Sequence, residues 1–314
     1  RRWPIGAEVE PNGGVHFRVW APKGQFVRVI GADCGNVICD LQRDSSGYFS
    51  GLVANARAGN LYFFQVDERG ERIPDPASRF QPRGPHGPSM VVDSTQFAWT
   101  DQGWLGVSLP GRVLYELHVG TFTRDGTWAA ACRELPELAS LGIDLIELMP
   151  VAEFPGRFGW GYDGVDLFAP MHAYGTPDDM RQFVNTAHGL GIGVILDVVY
   201  NHLGPDGNFL NCFADDYFTE RYDNEWGDAL NFDGPNSGPV REFFLTNAAY
   251  WIDEFHLDGL RLDATQQMFD RTRPHIITEI VRHCRETARG RNVVVIGENE
   301  PQDSSLLRQP HAGG

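Results

Sequence analysis

Segments in which apolar and polar residues alternate fill the first 107 residues of the chain. The clearest are residues 14–20, 26–30 and 62–66, and clusters of glycine, proline and asparagine separate them. A repeat of two residues with frequent turn signals and no long helical pattern is typical of antiparallel sheets packed face to face. We therefore expect an immunoglobulin-like β-sandwich over residues 1–107.

From residue 112 the pattern changes to apolar runs that alternate with segments of helical periodicity. Parallel strands are buried on both faces and the helices between them carry an apolar stripe, so this pattern predicts an α/β fold. The expected strands are 113–119, 144–149, 193–199, 259–262 and 293–297, and the expected helices are 127–141, 177–189, 239–255 and 275–289. Residues 203–238 show neither pattern and are expected to form a long loop.

The number of predicted parallel strands indicates whether the α/β fold forms a closed barrel. A (β/α)8 TIM barrel has eight parallel strands and about 250 residues, whereas residues 108–314 are fewer and show five recognisable strands. We expect an incomplete (β/α)8 TIM barrel there. Because an unclosed parallel sheet exposes unpaired strand edges, we also expect the isolated chain to be inactive and poorly soluble.

Two carboxylates follow predicted strands, at the edge where parallel sheets bind ligands. Arg261 and Asp263 are two positions apart on one strand, so their side chains share a face, and the arginine favours the ionised aspartate that a nucleophile needs. Glu298 ends the next strand, where burial would favour the protonated form of a general acid. Two such carboxylates about 5 Å apart are the apparatus of a retaining glycosidase. Taken singly, each has a purely structural alternative.

Polar and aromatic residues at the same edge complete the candidate site. Asp197 and His202 close the third strand, where His202 is placed to hydrogen-bond a sugar hydroxyl. Aromatic residues such as Tyr162 and Trp226 suit the apolar faces of sugars, although any of these rings could instead be core.

The composition of the chain excludes some classes of binding partner. A formal net charge of −16 disfavours nucleic acid, whose binding needs a cationic surface. The chain lacks both a run of about 20 apolar residues and an apolar N-terminal segment, so we expect no membrane association and a cytoplasmic location. The five cysteines, at positions 34, 39, 132, 212 and 284, form no C-x-x-C pair and are expected to be reduced thiols.

Three motifs together resemble a known family. Residues 197–202, 259–264 and 296–299 are similar to conserved blocks of the α-amylase family of glycoside hydrolases, and residues 15–22 resemble the carbohydrate-binding-type module of its branching, debranching and trehalose-forming members. The resemblance implies that Asp263 is the nucleophile and Glu298 the acid/base. It further implies roles around the cleaved sugar for Arg261, His202 and Tyr162, and supporting roles for His118 and Asp197.

Within this family, residues 159–165, 201–208 and 225–233 most resemble members that act on malto-oligosyltrehalose. These enzymes hydrolyse the α-1,4-glucosidic bond next to the terminal trehalose and release trehalose, so the implied partner is an α-1,4-glucan or malto-oligosyltrehalose. Three alternatives stay open: a 1,4-α-glucan branching enzyme, which shares residues 175–179, a debranching enzyme, and a non-catalytic glucan-binding protein.

The resemblance is incomplete in two respects. The family's third carboxylate has no matching position before Gly314. Asn201 falls where some relatives coordinate calcium, but a single asparagine without other oxygen ligands is not a site. We therefore expect no metal and no cofactor, and the sequence leaves the oligomeric state open.

Overall fold

The N-terminal strands form two antiparallel sheets. The fold is that of a computed structural model, which describes residues 2–33, 35–67 and 70–308. One sheet has the order β1-β2-β6-β5, and the other has the order β4-β3-β7-β8 with β9 also paired to β7. The strands are β1 Gly6–Val9, β2 Val15–Trp20, β3 Val27–Gly31, β4 Val37–Asp40, β5 Gln42–Arg43, β6 Tyr48–Val53, β7 Leu61–Val66, β8 Arg72–Ile73 and β9 Ser89–Met90.

Alternate residues of both sheets meet in one apolar core. In β2 the side chains of Val15, Phe17 and Val19 are buried, while the residues between them are partly exposed. Phe17 packs edge-on against Tyr62 and Phe64 of β7, with ring centroids 4.9 and 6.4 Å apart. The two sheets thus share a core, which is the β-sandwich that the alternation predicts.

The later elements comprise further strands and six helices. The strands are β10 Leu114–Leu117, β11 Leu145–Leu148, β12 Ala152–Glu153, β13 Asp166–Pro170, β14 Gly193–Val198, β15 Phe218–Thr219, β16 Ala229–Leu230, β17 Gly259–Leu262 and β18 Val294–Gly297. The helices are α1 Val119–Phe122, α2 Trp128–Ser140, α3 Pro177–Gly189, α4 Leu210–Phe213, α5 Ser237–Glu254 and α6 Ile276–Thr287.

Five of these strands form the predicted parallel sheet, in the order β10-β11-β14-β17-β18. Their register aligns apolar side chains on one face, namely Leu148, Leu196, Leu260 and Val295. The alternate positions place polar side chains on the other face, including Glu116, Glu147, Asp197 and Arg261. One face of the sheet is therefore mainly apolar. The other face, called here the charged face, carries these charged side chains beside apolar ones such as Ile195 and Ile296, and it holds the candidate site.

Two regions differ from the sequence-based expectation. The strands β12 and β13 pair antiparallel with each other outside the parallel sheet. The predicted loop over residues 203–238 contains α4 and the hairpin of β15 and β16, and α5 already begins at Ser237. Within this segment, Phe213 on α4 is fully buried in the sandwich core, which accounts for the ordered structure of α4.

The contacts within the chain define two compact units. The first contains the described residues of 1–98, 151–180 and 204–217, and the second contains those of 99–150, 181–203 and 218–314. Segments beyond residue 107 thus contribute to the first unit together with the sandwich. The sequence pattern could not show this, because it follows order along the chain and not proximity in space.

A buried histidine links the amino ends of two central strands in the second unit. His188 Nδ1 lies 2.8 Å from Asp101 Oδ2, and its Nε2 lies 2.9 Å from Asp258 Oδ2, which also accepts the backbone N–H of Val194 at 2.8 Å. The ring of Trp104 stacks on His188 with centroids 4.6 Å apart. Both ring nitrogens face carboxylate oxygens, so the geometry fits an imidazolium that donates to both.

The same contacts set the protonation of His188. Burial by itself would lower the pKa of His188, but the hydrogen bonds to Asp101 and Asp258 and the charges of both carboxylates raise it above its ordinary value. A cation enclosed by two anions in this way stabilises the fold only while it is charged.

We expect His188→Gln to destabilise the protein in a pH-dependent way. At about pH 6 the loss should be about 1–3 kcal/mol, because two buried carboxylates lose a hydrogen-bonded cation. Asp101 keeps His256 at 2.8 Å, and Arg291 lies 3.8 Å from Asp258. The folded-state pKa of His188 is raised, so its contribution is fully present below about pH 6.5 and is lost as the pH rises through the folded value. Urea unfolding at about pH 6 and about pH 9 should show a gap between wild type and variant that narrows at the higher pH.

The matched control is His86→Gln. His86 pairs with Asp206 at 2.8 Å, but both side chains are more than half exposed. Exposed pairs contribute less than about 1 kcal/mol. A His188 gap that is the same at both pH values would mean that His188 is neutral in the folded protein.

Candidate active site

The guanidinium of Arg261 is the centre of the charged face of the sheet. Its Nη1 donates to both carboxylate oxygens of Asp197 at 3.0 Å and to Asp263 Oδ1 at 2.7 Å. Its Nη2 lies 3.0 Å from Glu298 Oε2. The sheet register places Asp197 directly opposite Arg261. One cation on β17 therefore holds a carboxylate from β14, one from its own strand and one from β18.

The backbone explains why the two candidate catalytic carboxylates share this face. Asp263 N–H donates to the carbonyl of Val198 at 3.1 Å, and Glu298 N–H donates to the carbonyl of Leu262 at 3.0 Å. These bonds continue the sheet pattern one residue beyond β17 and β18. Side chains two positions apart on a strand point the same way, so Asp263 stays on the face of Arg261.

The turn after Asp263 gives Glu298 a second donor. Ala264 adopts a left-handed conformation with φ of 38°, which is uncommon for a residue with a Cβ. Its backbone N–H donates to Glu298 Oε2 at 3.0 Å. Strained backbone of this kind is found at functional sites, where the surrounding structure maintains it.

Arg261 is a permanent cation in this setting. Burial alone would lower the pKa of Arg261, but the charge of Asp197 and the hydrogen bonds to Asp197 and Asp263 raise it further above its ordinary value. Nearby on the same face, burial raises the pKa of Glu147, and the charge of Arg261 opposes that rise. Glu147 was not among the predicted site residues. The alternation of polar and apolar residues along its strand nevertheless places it on the same face as the other polar residues.

Glu298 differs from its prediction in one respect. The sequence predicts a buried carboxylate, whereas 49% of the Glu298 side chain is exposed, compared with 13% for Asp263. The reason is that β18 is the outer strand of the described sheet, so that one flank of Glu298 is open.

Asn201 holds the second oxygen of Asp263. Its amide nitrogen donates to Asp263 Oδ2 at 2.8 Å and to the Asp263 carbonyl at 2.9 Å. Its amide oxygen lies 2.5 Å from His202 Nδ1. The sequence indicates Asn201 as one of the polar residues that follow the predicted strands, and as a position where some relatives coordinate calcium. Its place shortly after β14, which ends at Val198, agrees with the first of these indications.

Trp226 lies in the exposed loop between β15 and β16. Its side chain is 62% exposed, and its ring is 6.4 Å from that of His202. The loop is attached through Asn224, whose amide nitrogen donates to the Asn201 carbonyl at 2.7 Å. The sequence indicates Asn224 only as the start of a loop, residues 224–233, that resembles the family members acting on malto-oligosyltrehalose, and not as a contact of Asn201.

The remaining predicted site residues lie elsewhere. His118 follows β10 and its ring nitrogen Nδ1 is 3.2 Å from Thr121 Oγ1, within the next turn of chain. Tyr162 belongs to the first compact unit, where it is half-buried. The structure therefore brings together Asp263, Glu298, Arg261, Asp197, His202 and Trp226, and the roles of His118 and Tyr162 stay predictions.

Three further features were searched for among the described residues: a metal site, disulfide bonds and a membrane-spanning helix. No three of their His, Cys, Asp or Glu side chains are grouped so as to hold a metal ion. Cys39, Cys132, Cys212 and Cys284 are free thiols, and Cys34 lies outside the described residues. Within the described ranges, every helix is too short or too polar to span a bilayer.

Known proteins resemble this chain in both regions. A family profile described as alpha amylase, catalytic domain, matches residues 92–226, and one described as carbohydrate-binding module 48 (isoamylase N-terminal domain) matches residues 4–78. A malto-oligosyltrehalose trehalohydrolase of Saccharolobus solfataricus is 43% identical over 94% of this chain and 51% of its own length. A 1,4-α-glucan branching enzyme of Rhizobium johnstonii is 34% identical over 85% of this chain and 40% of its own.

A solved structure extends the comparison to the fold. The crystal structure of a putative alpha amylase from Salmonella typhimurium superposes with a TM-score of 0.90 at 41% identity, and the match covers 95% of this chain and 50% of that one. The chain thus spans about half the length of the first curated relative and of this structure.

We expect Arg261→Met to destabilise the protein by about 3–5 kcal/mol, because Asp197 is fully buried and would lose its cation. The double variant Arg261→Met with Asp197→Asn should recover part of this loss, since the uncompensated charge is then removed. Arg282→Met is the control, because the ion pair of Arg282 with Glu279 is half exposed. Urea unfolding checks all three, and a double variant no more stable than Arg261→Met would contradict the explanation.

Proposed function

Because the chain belongs to the α-amylase family of glycoside hydrolases, we propose that it carries the reacting carboxylates of an enzyme that hydrolyses malto-oligosyltrehalose. The bond cleaved is the α-1,4-glucosidic bond next to the terminal trehalose, and the product released is trehalose. The observation that carries the proposal is the contact of Asp263 and Glu298 with one guanidinium, that of Arg261. The choice of substrate rests on the name of the 43% identical relative.

The reaction proceeds by double displacement. Asp263 attacks the anomeric carbon, while Glu298 gives its proton to the oxygen of the leaving trehalose unit. The bond from the anomeric carbon to that oxygen breaks, and an ester joins the remaining glucan to Asp263. Glu298 then takes a proton from water, the water oxygen attacks the same carbon, and the ester bond to Asp263 breaks.

The contacts around Arg261 suit these steps. Arg261 and Asn201 each donate to a different oxygen of Asp263, which fixes the orientation of the nucleophile. Asp197 is fully buried against Arg261 and fixes the guanidinium in turn. Carboxylates outnumber the single cation, so the site favours the positive charge that develops on the sugar in the transition state.

The other predicted residues bind sugar in this proposal. His202 and Trp226 lie beside Asn201 and present a ring nitrogen and an exposed indole face, which suit a hydroxyl and a C–H face of glucose. Tyr162 and His118 are proposed to contact the same sugar, on the family resemblance alone.

We also propose a domain assignment and a cellular location for the protein. Residues 1–107 would be an immunoglobulin-like, carbohydrate-binding-type sandwich, and residues 108–314 part of a (β/α)8 barrel. Trehalose formation from glucans and a cytoplasmic location are proposed with the activity.

Product analysis tests the reaction. The complete protein that contains this chain, incubated with malto-oligosyltrehalose, should release free trehalose and a shortened malto-oligosaccharide. Because the mechanism retains configuration, proton NMR at early times should show the new reducing end as the α anomer. New α-1,6 branches from a linear glucan would instead identify a branching enzyme, cleavage of α-1,6 bonds a debranching enzyme, and glucan retention in affinity electrophoresis without turnover a binding protein.

Substitution of the two carboxylates tests their roles. Asp263→Asn should reduce turnover to background, and Glu298→Gln should reduce it by about 10²–10⁴-fold. Asp215→Asn and Glu300→Gln are the matched controls, since both residues are exposed and lie outside the contacts of Arg261. The measurement is the steady-state rate of each variant on malto-oligosyltrehalose. An Asp263→Asn variant with more than a tenth of wild-type turnover would exclude Asp263 as the nucleophile.

A further inference from the structure

A chain of hydrogen bonds leads from the exposed loop between β15 and β16 to the carboxylate of Asp263. The backbone N–H of Trp226 donates to Asn224 Oδ1 at 3.1 Å, and Asn224 Nδ2 donates to the Asn201 carbonyl at 2.7 Å. Asn201 Nδ2 then donates to Asp263 Oδ2 at 2.8 Å. Four residues from three parts of the chain are thereby connected through two side-chain amides.

The orientation of the Asn201 amide is fixed by its neighbours. On one side it faces two acceptors, the carbonyl and Oδ2 of Asp263, which only the NH2 group can satisfy. On the other side, its oxygen faces the ring nitrogen Nδ1 of His202. Asn201 is fully buried, so no rotated arrangement satisfies these groups with water instead.

The base of the loop is held by Arg221 and Tyr222, which both contact Asp233, and by the stacking of Tyr222 on Phe269. Its tip is joined to the candidate site through Asn224. Residues at its tip, including Glu225, Trp226, Gly227 and Asp228, are exposed, whereas Asn224 is partly buried. A displacement of the loop that breaks the Asn224 contact would also release the Asn201 carbonyl.

We infer that Asn201 is a positioning residue for the nucleophile and that Asn224 couples the Trp226 loop to it. Arg261 holds one oxygen of Asp263 and Asn201 holds the other, so the carboxylate cannot rotate about its own axis while both bonds persist. A sugar stacked on Trp226 would keep the loop in place and thereby maintain the orientation of Asp263. This inference rests on the proposed function, because it takes Asp263 as the nucleophile.

The experiment compares Asn201→Ala, Asn201→Asp and Asn224→Ala in the complete protein. The readouts are kcat, KM and the pH profile on malto-oligosyltrehalose. For Asn201→Ala we expect kcat to fall about 100-fold with little change in KM, because the reacting group is misplaced and not the substrate. Asn224→Ala should lower kcat in the same way but by a smaller factor.

Asn201→Asp separates positioning from a structural role. It keeps the shape of asparagine but sets a negative charge against Asp263, which already faces the charges of Arg261, Asp197 and Glu298 and the ring of His202. The acid limb of the pH profile should move to higher pH in Asn201→Ala and further still in Asn201→Asp. A merely structural residue would tolerate the isosteric Asn201→Asp better than alanine, and that order of effects would overturn the inference.

Asn231→Ala is the matched control. Asn231 is also buried at the base of this loop, where it donates to the Pro235 carbonyl at 2.9 Å and accepts from Gly234 N–H at 2.8 Å. Its loss should lower the urea midpoint without moving the acid limb. If Asn201→Ala does not fold, Asn201→Asp and Asn224→Ala carry the test.

A second probe distinguishes failure of this inference from failure of the proposed function. 5-Fluoro-α-D-glucosyl fluoride forms an ester with a retaining nucleophile as fluoride leaves, and mass spectrometry locates the labelled residue. Labelling of wild type at Asp263, with slower labelling in both Asn201 variants, supports positioning. Equal rates in wild type and variants refute it, whereas wild type that is neither labelled nor active on any glucan refutes the proposed function on which it rests.

Discussion

The arrangement of the charged face depends on a single, partly buried cation. Arg261 lies in the middle of the parallel sheet, and without it Asp197 would be a buried, unpaired carboxylate. With it, three strands are cross-linked at their carboxyl ends, because each supplies a carboxylate to the same guanidinium. The interaction therefore stabilises the sheet and orders the reactive groups at once, and a change that weakens one of these effects weakens the other.

The opposite end of the sheet is organised in a similar way, with a cation between carboxylates. There one imidazolium, His188, lies between Asp101 and Asp258, and Asp258 immediately precedes the strand that carries Arg261. Strand β17 is thus held at its amino end by a titratable cation and at its carboxyl end by a permanent one. This difference fits the two roles, since the candidate site must keep its charges at any pH where the enzyme acts, whereas the other end has only to be stable.

Much of this fold is predictable because each element has its own local pattern. Most positions in the strands of the parallel sheet are apolar, and all six residues of β14 are buried. The strand β13 is an equally buried run, yet it pairs antiparallel with β12, and an apolar run carries no information about its partner. Likewise the alternation that places Arg261 and Asp263 on one face is local. Other features depend on which segments meet in space, and the local pattern of the sequence carries no information about that. Examples are the contact of Asn224 with Asn201 and the exposure of Glu298.

The two candidate catalytic carboxylates differ more in their surroundings than in their partners. Both contact Arg261, so the arginine by itself does not make one of them a nucleophile and the other an acid. Asp263 has a second side-chain donor in Asn201 and is mostly buried, whereas the second donor of Glu298 is the backbone of Ala264 and half of its side chain faces water. A glucan that covers the site would remove that water from Glu298, while Asp263 would keep both of its side-chain donors. Substrate binding would then change the surroundings of one carboxylate more than those of the other, because of an asymmetry that the fold already contains.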